Sequence, residues 1–199
     1  GPVGTNCYIV QNEEKKECVL VDPGACPPEM ISHIKSAGLT VKAVLLTHGH
    51  FDHIMGLDGV LTQFQVPVYV CKEERELMEN AQLNSSLLML GQAYSFSGAE
   101  YIADGDVLFP AGIRVHVIFT PGHTAGGCCY YLPEEHVLFS GDTLFHASIG
   151  RTDLPTGRTG QLVRSVREKL FVLPDDTKVY PGHMDETTIE YEKKYNPFI

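Results

Sequence analysis

Short apolar runs separated by turn-forming residues recur along the chain, and this pattern predicts a mixed α/β protein. Runs rich in β-branched and aromatic residues, bounded by Gly, Pro, Asn or Asp, are typical of strands. We therefore expect strands at about residues 5–10, 17–21, 43–46, 67–70, 113–120, 128–132, 136–140 and 177–180.

Helical patterns lie between these runs. Pro27-Pro28 begins a helix that Gly38 ends, because proline favours a first helical turn and glycine the position after a last one. Further helices are expected at about residues 55–65, 73–82 and 160–171. The run Leu87-Leu88-Met89-Leu90 is expected to be a packing segment rather than a ligand-contacting stripe. Two similar sets of strands and helices predict two mixed sheets packed face to face, with helices on both outer faces.

The segment His48-Gly49-His50-Phe51-Asp52-His53 holds four side chains of metal-binding type, one residue after the apolar run Val44-Leu45-Leu46. His48 and His50 are two positions apart, so an extended backbone points both to one side. Asp52 continues that alternation, whereas His53 turns to the other side and reaches a second centre. Imidazole and carboxylate together suit zinc, iron or manganese better than calcium or magnesium. The segment therefore predicts a transition-metal site.

Other runs end in the same way, in a glycine-containing turn that carries a histidine or an aspartate. These turns are Asp22-Pro23-Gly24, Pro121-Gly122-His123, Ser140-Gly141-Asp142 and Pro181-Gly182-His183. Side chains just past strand ends lie along one edge of a sheet, where α/β folds place their sites. We therefore expect them to join residues 48–53.

The chain carries, in this order, the motifs His-x-His-x-Asp-His, Gly-His, Gly-Asp and Gly-His. Together they resemble the dinuclear metal signature of the metallo-β-lactamase superfamily, and the resemblance covers nearly the whole chain. Within that superfamily the chain looks most like the short single-domain glyoxalase II-like hydrolases. The segments that carry this resemblance are 141–145, 150–153 and 196–199. The resemblance implies the four-layer αβ/βα sandwich of the metallo-β-lactamase fold, an α/β class.

The same resemblance implies a role for each matching residue. The first metal would be bound by His48, His50 and His123, the second by Asp52, His53 and His183, with Asp142 bridging the two. Asp22 resembles the family's aspartate that steadies the loop carrying residues 48–53. The expected cofactors are two divalent transition-metal ions, zinc first, with iron or manganese as alternatives.

The expected reaction follows from the charge of such a centre. Two divalent metals, two ionised aspartates and a bridging hydroxide leave a net charge of about +1, since a metal lowers the pKa of bound water from about 15.7 to roughly 7. The hydroxide would attack a carbonyl, and a metal would hold the developing oxyanion. Asp52 would be the catalytic residue that orients the hydroxide or accepts its proton. The expected substrate is a small, anionic, glutathione-type thioester.

Departures from other relatives narrow the expected activity. Asp142 stands where many true β-lactamases carry cysteine, and His50 stands where flavodiiron relatives carry glutamate, which argues against both activities. The chain ends 16 residues after His183, so we expect no counterpart of the helical domain by which full-length glyoxalase II holds glutathione, and this expectation puts the glutathione thioester in doubt. A mononuclear iron persulfide dioxygenase stays open as an alternative, as does a lactone or phosphodiester hydrolase of the same fold.

Arg151 is the candidate for substrate recognition. A lysine that contacts glutathione in glyoxalase II lies nine positions after the bridging aspartate, and Arg151 lies nine after Asp142. Its guanidinium would clamp a substrate carboxylate, and the alternative is an internal pair with Asp153 that fixes the loop. His146, four positions after Asp142, is the further candidate to approach the cleft.

Composition excludes several classes of function. The 199 residues are 43% hydrophobic, enough to bury one core, so we expect a single domain over residues 1–199. The formal net charge is −10, and no cluster of Lys or Arg exceeds two residues. A nucleic-acid surface needs a positive stripe that displaces counterions, so nucleic acid is not an expected partner. No apolar run approaches about 18 residues, so no membrane helix is expected.

Cysteine usage indicates a cytoplasmic protein. The six cysteines show no C-x-x-C spacing and are expected to be reduced packing residues, with Cys128 and Cys129 facing opposite ways in one strand. The chain begins Gly1-Pro2 rather than with methionine, so we expect that its natural start is missing or that Gly1-Pro2 is a cleavage scar. The expected assembly is a monomer or a homodimer.

Overall fold

The computed structural model describes residue 1 and residues 3–199. The first half of the chain alternates strands with short helices. Its elements are β1 (Tyr8–Asn12), β2 (Glu17–Val21), α1 (Pro28–Ser36), β3 (Thr40–Leu45), α2 (Phe51–Ile54), α3 (Leu57–Phe64), β4 (Val68–Cys71), α4 (Arg75–Met78), α5 (Ser86–Leu90) and β5 (Glu100–Ile102). A single 3₁₀ turn, Lys72–Glu74, precedes α4.

The second half is mainly antiparallel strands followed by two helices. Its elements are β6 (Val107–Leu108), β7 (Val115–Phe119), β8 (Cys128–Leu132), β9 (Val137–Gly141), β10 (Leu144–Phe145), β11 (Ser148–Ile149), α6 (Thr159–Ser165), β12 (Lys178–Pro181), β13 (Thr187–Thr188) and α7 (Ile189–Tyr195). A π-helical turn, Val166–Leu170, continues α6.

The strands form two large mixed sheets. The first has the order β1-β2-β3-β4-β5, and within it only the β1–β2 pair is antiparallel. The second has the order β13-β12-β9-β8-β7-β6, with β9 and β12 parallel and the other pairs antiparallel. Strands β10 and β11 form a separate two-stranded hairpin.

The main core lies between the two sheets. Val19 and Val21 of β2 face this layer, where they join Tyr130 of β8. The alternate residue Leu20 faces outward and packs with Ile34 of α1 and with α3. Because β2 is buried on both faces, it is a continuous apolar run rather than an alternating one.

A second outer layer covers the other sheet. Leu138 of β9 and Val179 of β12 pack there against Val166 and Leu170 beyond α6 and against Ile189 of α7. The expected arrangement, two mixed sheets with helices on both outer faces, is therefore confirmed. Among the described residues, no helix combines the length and the apolar character that crossing a membrane requires.

A bulge in β3 changes which side chains face each layer. Cys18 pairs with Val41, but the next residue, Val19, pairs with Ala43, so Lys42 is the extra residue. Val41 consequently faces the outer layer and Ala43 the layer between the sheets, although they are two positions apart. Such a bulge reverses the alternation of a strand.

The expected strands are all present, with ends displaced by at most three residues. The helix expected over 73–82 is shorter, because it begins in the 3₁₀ turn and α4 ends at Met78. The packing role expected for residues 87–90 is wrong. Leu87, Leu88 and Met89 of α5 are 42%, 71% and 50% exposed.

The cysteines are packing residues, as expected. All six are free, and four of them are buried. Cys128 faces the layer between the sheets and Cys129 the outer layer, as their adjacent positions in one strand predict. Burial raises the pKa of the Cys129 thiol to about 11 and that of Cys7 to about 12, which leaves both in the unreactive protonated form.

Candidate metal centre

The predicted metal-binding side chains come from four loops at one edge of the two sheets. The donors lie after β3 (His48, His50), in α2 (Asp52, His53), after β7 (His123), after β9 (Asp142) and after β12 (His183). The structure brings all seven together, since every strand that carries a donor ends on the same side. Metal binding by these residues stays a prediction.

The donors fall into three overlapping groups, and within each group the ligand atoms lie within 4.8 Å of one another. The groups are His48, His50 and His123; His48, His53 and Asp142; and Asp52, His53 and His183. Asp142 lies between the outer two groups. Its Oδ1 is 3.4 Å from Nε2 of His53, while its Oδ2 is 3.5 Å from Nε2 of both His123 and His183. The bridging role that the resemblance implies for Asp142 stays a prediction.

Several of these donors are buried without a hydrogen-bond partner among the described residues. They include Nε2 of His48, His50 and His53 and Oδ1 of Asp142. A buried polar atom left unpaired costs about 1–3 kcal/mol, and more when it is charged. Four such atoms side by side fit a site that a cation completes, and nitrogen with carboxylate oxygen is a donor set that transition metals accept.

The protonation of the first group also suits metal binding. Burial lowers the pKa of His48 far below its usual range and that of His50 to about 3, and neighbouring histidines add to the effect. Burial lowers the pKa of His123 as well. These imidazoles are therefore neutral at pH 7, which is the form that donates a lone pair to a metal.

The carboxylates of the centre are ionised. Burial alone would raise the pKa of Asp142, but the neighbouring His53 outweighs it and brings the pKa to about 2. The pKa of Asp52 is likewise below its usual value despite burial, because of His53 and hydrogen bonds from His183 and Thr5. The same acids hold the pKa of His53 well above its usual value against the effect of burial. A divalent ion would take the place of that proton, so metal binding should release protons.

Asp22 connects the ends of β2 and β3 to the centre. It is buried and accepts hydrogen bonds from the amide nitrogen of Thr47 at 2.7 Å and from its Oγ1 at 2.6 Å. Its Oδ2 also lies 3.0 Å from Nδ1 of His53. A carboxylate on the far nitrogen of a histidine sets the tautomer and ring orientation of a metal ligand. The contacts match the steadying role that the resemblance implies for Asp22.

Two glycines allow backbone to approach the donors. A Cβ atom on Gly182 would lie 2.3 Å from Oδ1 of Asp142, and one on Gly24 would lie 1.6 Å from the carbonyl oxygen of Asp52. No side chain fits at these distances. The glycine-containing turns are therefore required by the closeness of the loops to the centre.

Glu74 is a buried acid that nothing in the sequence marks. Its Oε2 accepts a hydrogen bond from the amide of Gly49 at 2.8 Å, and its Oε1 accepts one from the amide of Gly126 at 2.6 Å. Gly49 lies between His48 and His50, and Gly126 lies in the loop that follows His123. One carboxylate thus fastens together the two loops that carry the first group of donors. In the sequence Glu74 stands in a run of charged residues, where its neighbours look the same.

We expect Glu74→Gln to weaken metal binding about 10- to 100-fold, the range for residues that position metal ligands. The amide retains only one accepting oxygen, so one of the two glycine amides loses its partner. Metal affinity measured by competition with a chelator, on folded protein verified by circular dichroism, tests this. Glu73→Gln is the matched control, because that side chain is 38% exposed. Equal affinities for the two variants would show that Glu74 does not position the loops.

Arg151 makes the internal pair that was one of its two expected roles. Its Nε and Nη2 each lie 2.7 Å from an oxygen of Asp153, in a bidentate arrangement at the rim of the centre. Its carbonyl oxygen accepts a hydrogen bond from Nδ1 of His123 at 2.7 Å. The backbone of Arg151 therefore orients a predicted metal donor, while its guanidinium is already occupied. The carboxylate clamp stays a prediction.

The other candidate histidine lies apart from the donors. The ring of His146 packs edge-on against Tyr191 of α7, with centroids 4.8 Å apart. Thr5, which the sequence does not mark, instead reaches the centre. Its Oγ1 donates a hydrogen bond of 2.5 Å to Oδ2 of Asp52.

Comparison with known sequences supports this geometry. A family model described as the metallo-beta-lactamase superfamily matches residues 1–183. The chain is 38% identical to the probable metallo-hydrolase YqgX of Bacillus subtilis, over 100% of this chain and 94% of that protein. It is 34% identical to the hydroxyacylglutathione hydrolase GloC of Haemophilus influenzae, over 98% of this chain and 92% of that protein.

Solved structures show the same fold. The BLEG-1 B3 metallo-beta-lactamase is similar with a TM-score of 0.94 and 41% identity, over 100% of this chain and 95% of that one. TTHA1623, solved in a di-iron-bound form, is similar with a TM-score of 0.89 and 35% identity, over 100% of this chain and 97% of that one. The chain therefore belongs to the metallo-β-lactamase superfamily, and the di-iron form of TTHA1623 agrees with the metal-binding character of the buried donors.

Proposed function

Because this chain is a metallo-hydrolase that belongs to the metallo-β-lactamase superfamily, we propose that it hydrolyses the carbonyl–sulfur bond of small thioesters. One observation carries the proposal. A cavity of about 370 Å³ opens directly onto the donors His50, Asp52, His123, Asp142 and His183. A carbonyl substrate of modest size therefore has room beside both predicted metal positions. The similarity to GloC supports a thioester as the substrate class.

The seven donors would hold two divalent metal ions, with His48, His50 and His123 on one and Asp52, His53 and His183 on the other. Such ions supply an activated water and polarise the carbonyl oxygen. The presence of a complete second group favours two ions over one. A mononuclear iron dioxygenase would use only part of this set.

In this proposal Asp52 orients the attacking water or accepts its proton. It reaches the cavity and is ionised, and its Oδ2 is held by Thr5 at 2.5 Å and lies 3.2 Å from Nε2 of His183. These contacts fix the direction of the carboxylate. A base held in position in this way does not have to reorganise during the reaction.

A substrate panel on metal-reconstituted protein tests the proposed activity. Metal-free protein is loaded separately with zinc, iron and manganese and assayed with neutral thioesters, S-lactoylglutathione, a lactone, a phosphodiester and a β-lactam. We expect thioesters to be turned over fastest. S-lactoylglutathione should be hydrolysed with weak saturation, because Arg151, which lines the cavity, is already paired with Asp153.

Two results would contradict the proposal. One is the absence of thioester hydrolysis with every metal, together with oxygen uptake on glutathione persulfide, which would establish the dioxygenase alternative. The other is a lactone, phosphodiester or β-lactam cleaved much faster than any thioester. Protein with Asp142→Ala serves as the control for contaminating hydrolases in each assay.

A further inference from the structure

We propose that the preferred substrate carries an apolar acyl chain, which lies against an apolar wall beside the metal donors; this rests on the proposed thioesterase function. The wall is formed by side chains from separate parts of the chain that meet in the same cavity as the donors. They are Phe51, Met89, Phe145, Ile149, Leu154 and Met184.

Two aromatic residues of this wall are buried. Phe51 opens α2, next to the donor Asp52, and is 4% exposed, while Phe145 of β10 is 8% exposed. The Phe145 ring lies edge-on to the ring of the donor His183, with centroids 6.2 Å apart. Methylene groups placed against these two rings would gain burial, whereas a polar group placed against them would lose hydrogen bonds to water.

Helix α5 lies at the rim of this wall, which accounts for the exposure of its apolar residue Met89. Met89 is 50% exposed but lines the cavity, whereas Leu88 on the same helix is 71% exposed and does not. The helix is tied to the donor segment, because the amide of Phe51 donates a 3.0 Å hydrogen bond to the carbonyl of Asn84. The buried Asn84 side chain in turn accepts from the amide of Ser86 at 2.9 Å. Met89 is therefore held at the cavity by the same contacts that hold α2.

Charge at the cavity agrees with an apolar acyl group. Apart from the metal donors, the polar side chains that line it in the described part of the chain are Ser85, Ser148 and Arg151. Arg151 is 55% exposed and is paired with Asp153. Among the described residues that line the cavity, no Lys or Arg side chain is thus left unpaired to receive an acyl carboxylate. The exposed ion pair at the mouth suits a polar thiol carrier, which leaves the buried rings for the acyl side.

A series of thioesters tests the inference. Metal-loaded protein is assayed with acetyl, butanoyl and hexanoyl thioesters of one neutral thiol, N-acetylcysteamine. We expect kcat/KM to rise about three- to fourfold for each added methylene that the wall buries. Met89→Ser and Leu154→Ser should reduce this dependence on chain length, whereas Leu88→Ser, on the same helix but outside the cavity, should leave it unchanged.

Binding of unreactive analogues separates this inference from the proposed function. In these ketones a methylene replaces the thioester sulfur, and their affinities are measured by calorimetry. Affinity should rise with the acyl chain in the parent and in Leu88→Ser, and rise less steeply in Met89→Ser. Loss of all thioesterase activity with this binding pattern intact would overturn the proposed reaction and leave the apolar wall. Hydrolysis that is independent of acyl length, or that depends only on lengthening the thiol, would overturn the wall and leave the reaction.

Discussion

Replacing Asp142 with alanine should remove both metal ions and lower turnover about a thousandfold, since bound metals supply several kcal/mol of transition-state stabilisation. The carboxylate lies 3.4–3.5 Å from His53, His123 and His183, so it contacts donors of both halves of the centre. Parent protein should contain about two equivalents of transition metal when fully loaded. Metal content by mass spectrometry, alongside kcat/KM on a neutral thioester, checks both statements.

Asp153→Ala is the matched control for Asp142→Ala. It removes an aspartate of the same region, but one whose side chain is 67% exposed and pairs only with Arg151. That variant should keep both metals. An Asp142→Ala protein with full metal content and full activity would show that Asp142 does not bridge two ions.

Asp22→Asn should destabilise the fold and weaken metal binding even though Asp22 reaches no metal position. The carboxylate accepts two hydrogen bonds from Thr47, and its Oδ2 lies 3.0 Å from Nδ1 of His53. In asparagine one of the two oxygens is replaced by an amide nitrogen, which cannot accept a hydrogen bond from either residue. Breaking a buried charged network costs about 3 kcal/mol or more, which for a chain of this size lowers the melting temperature by about 6–12 °C. Metal affinity should fall about 10- to 100-fold. Asparagine also tolerates the positive φ of 48° at this position, so the backbone is retained.

Thermal unfolding of metal-free and metal-loaded protein separates the two effects of Asp22→Asn. The loss in the metal-free state reports the network alone, and any additional loss in the loaded state reports weaker metal binding. Asp58→Asn, on the exposed face of α3, should change neither value. If Asp22→Asn melted at the parent temperature in both states, the carboxylate would have no orienting role.

Local sequence patterns were sufficient to predict the longer strands and helices and to identify the candidate donors. The strand β2 is apolar at consecutive positions because both of its faces are buried, and the donors follow strand ends because that is where loops meet at one edge. Strands of two or three residues, such as β6 and β13, are too short to show any alternation. The helix α5 looked like core because its leucines are apolar, although the fold leaves most of them exposed.

The sequence by itself determined the α/β class, the main strands and the set of histidines and aspartates, since these depend on periodicity and on short spacings along the chain. Only the tertiary structure decided which polar residues are buried and which partner each one takes. Glu74 fastens two loops 77 residues apart, from Gly49 to Gly126, and it differs from Glu73 only in the direction it faces. From the sequence, the guanidinium of Arg151 could pair with a substrate carboxylate or with Asp153. The folded loop places Asp153 2.7 Å from that guanidinium. Burial and pairing depend on contacts between distant segments, and local sequence does not encode those contacts.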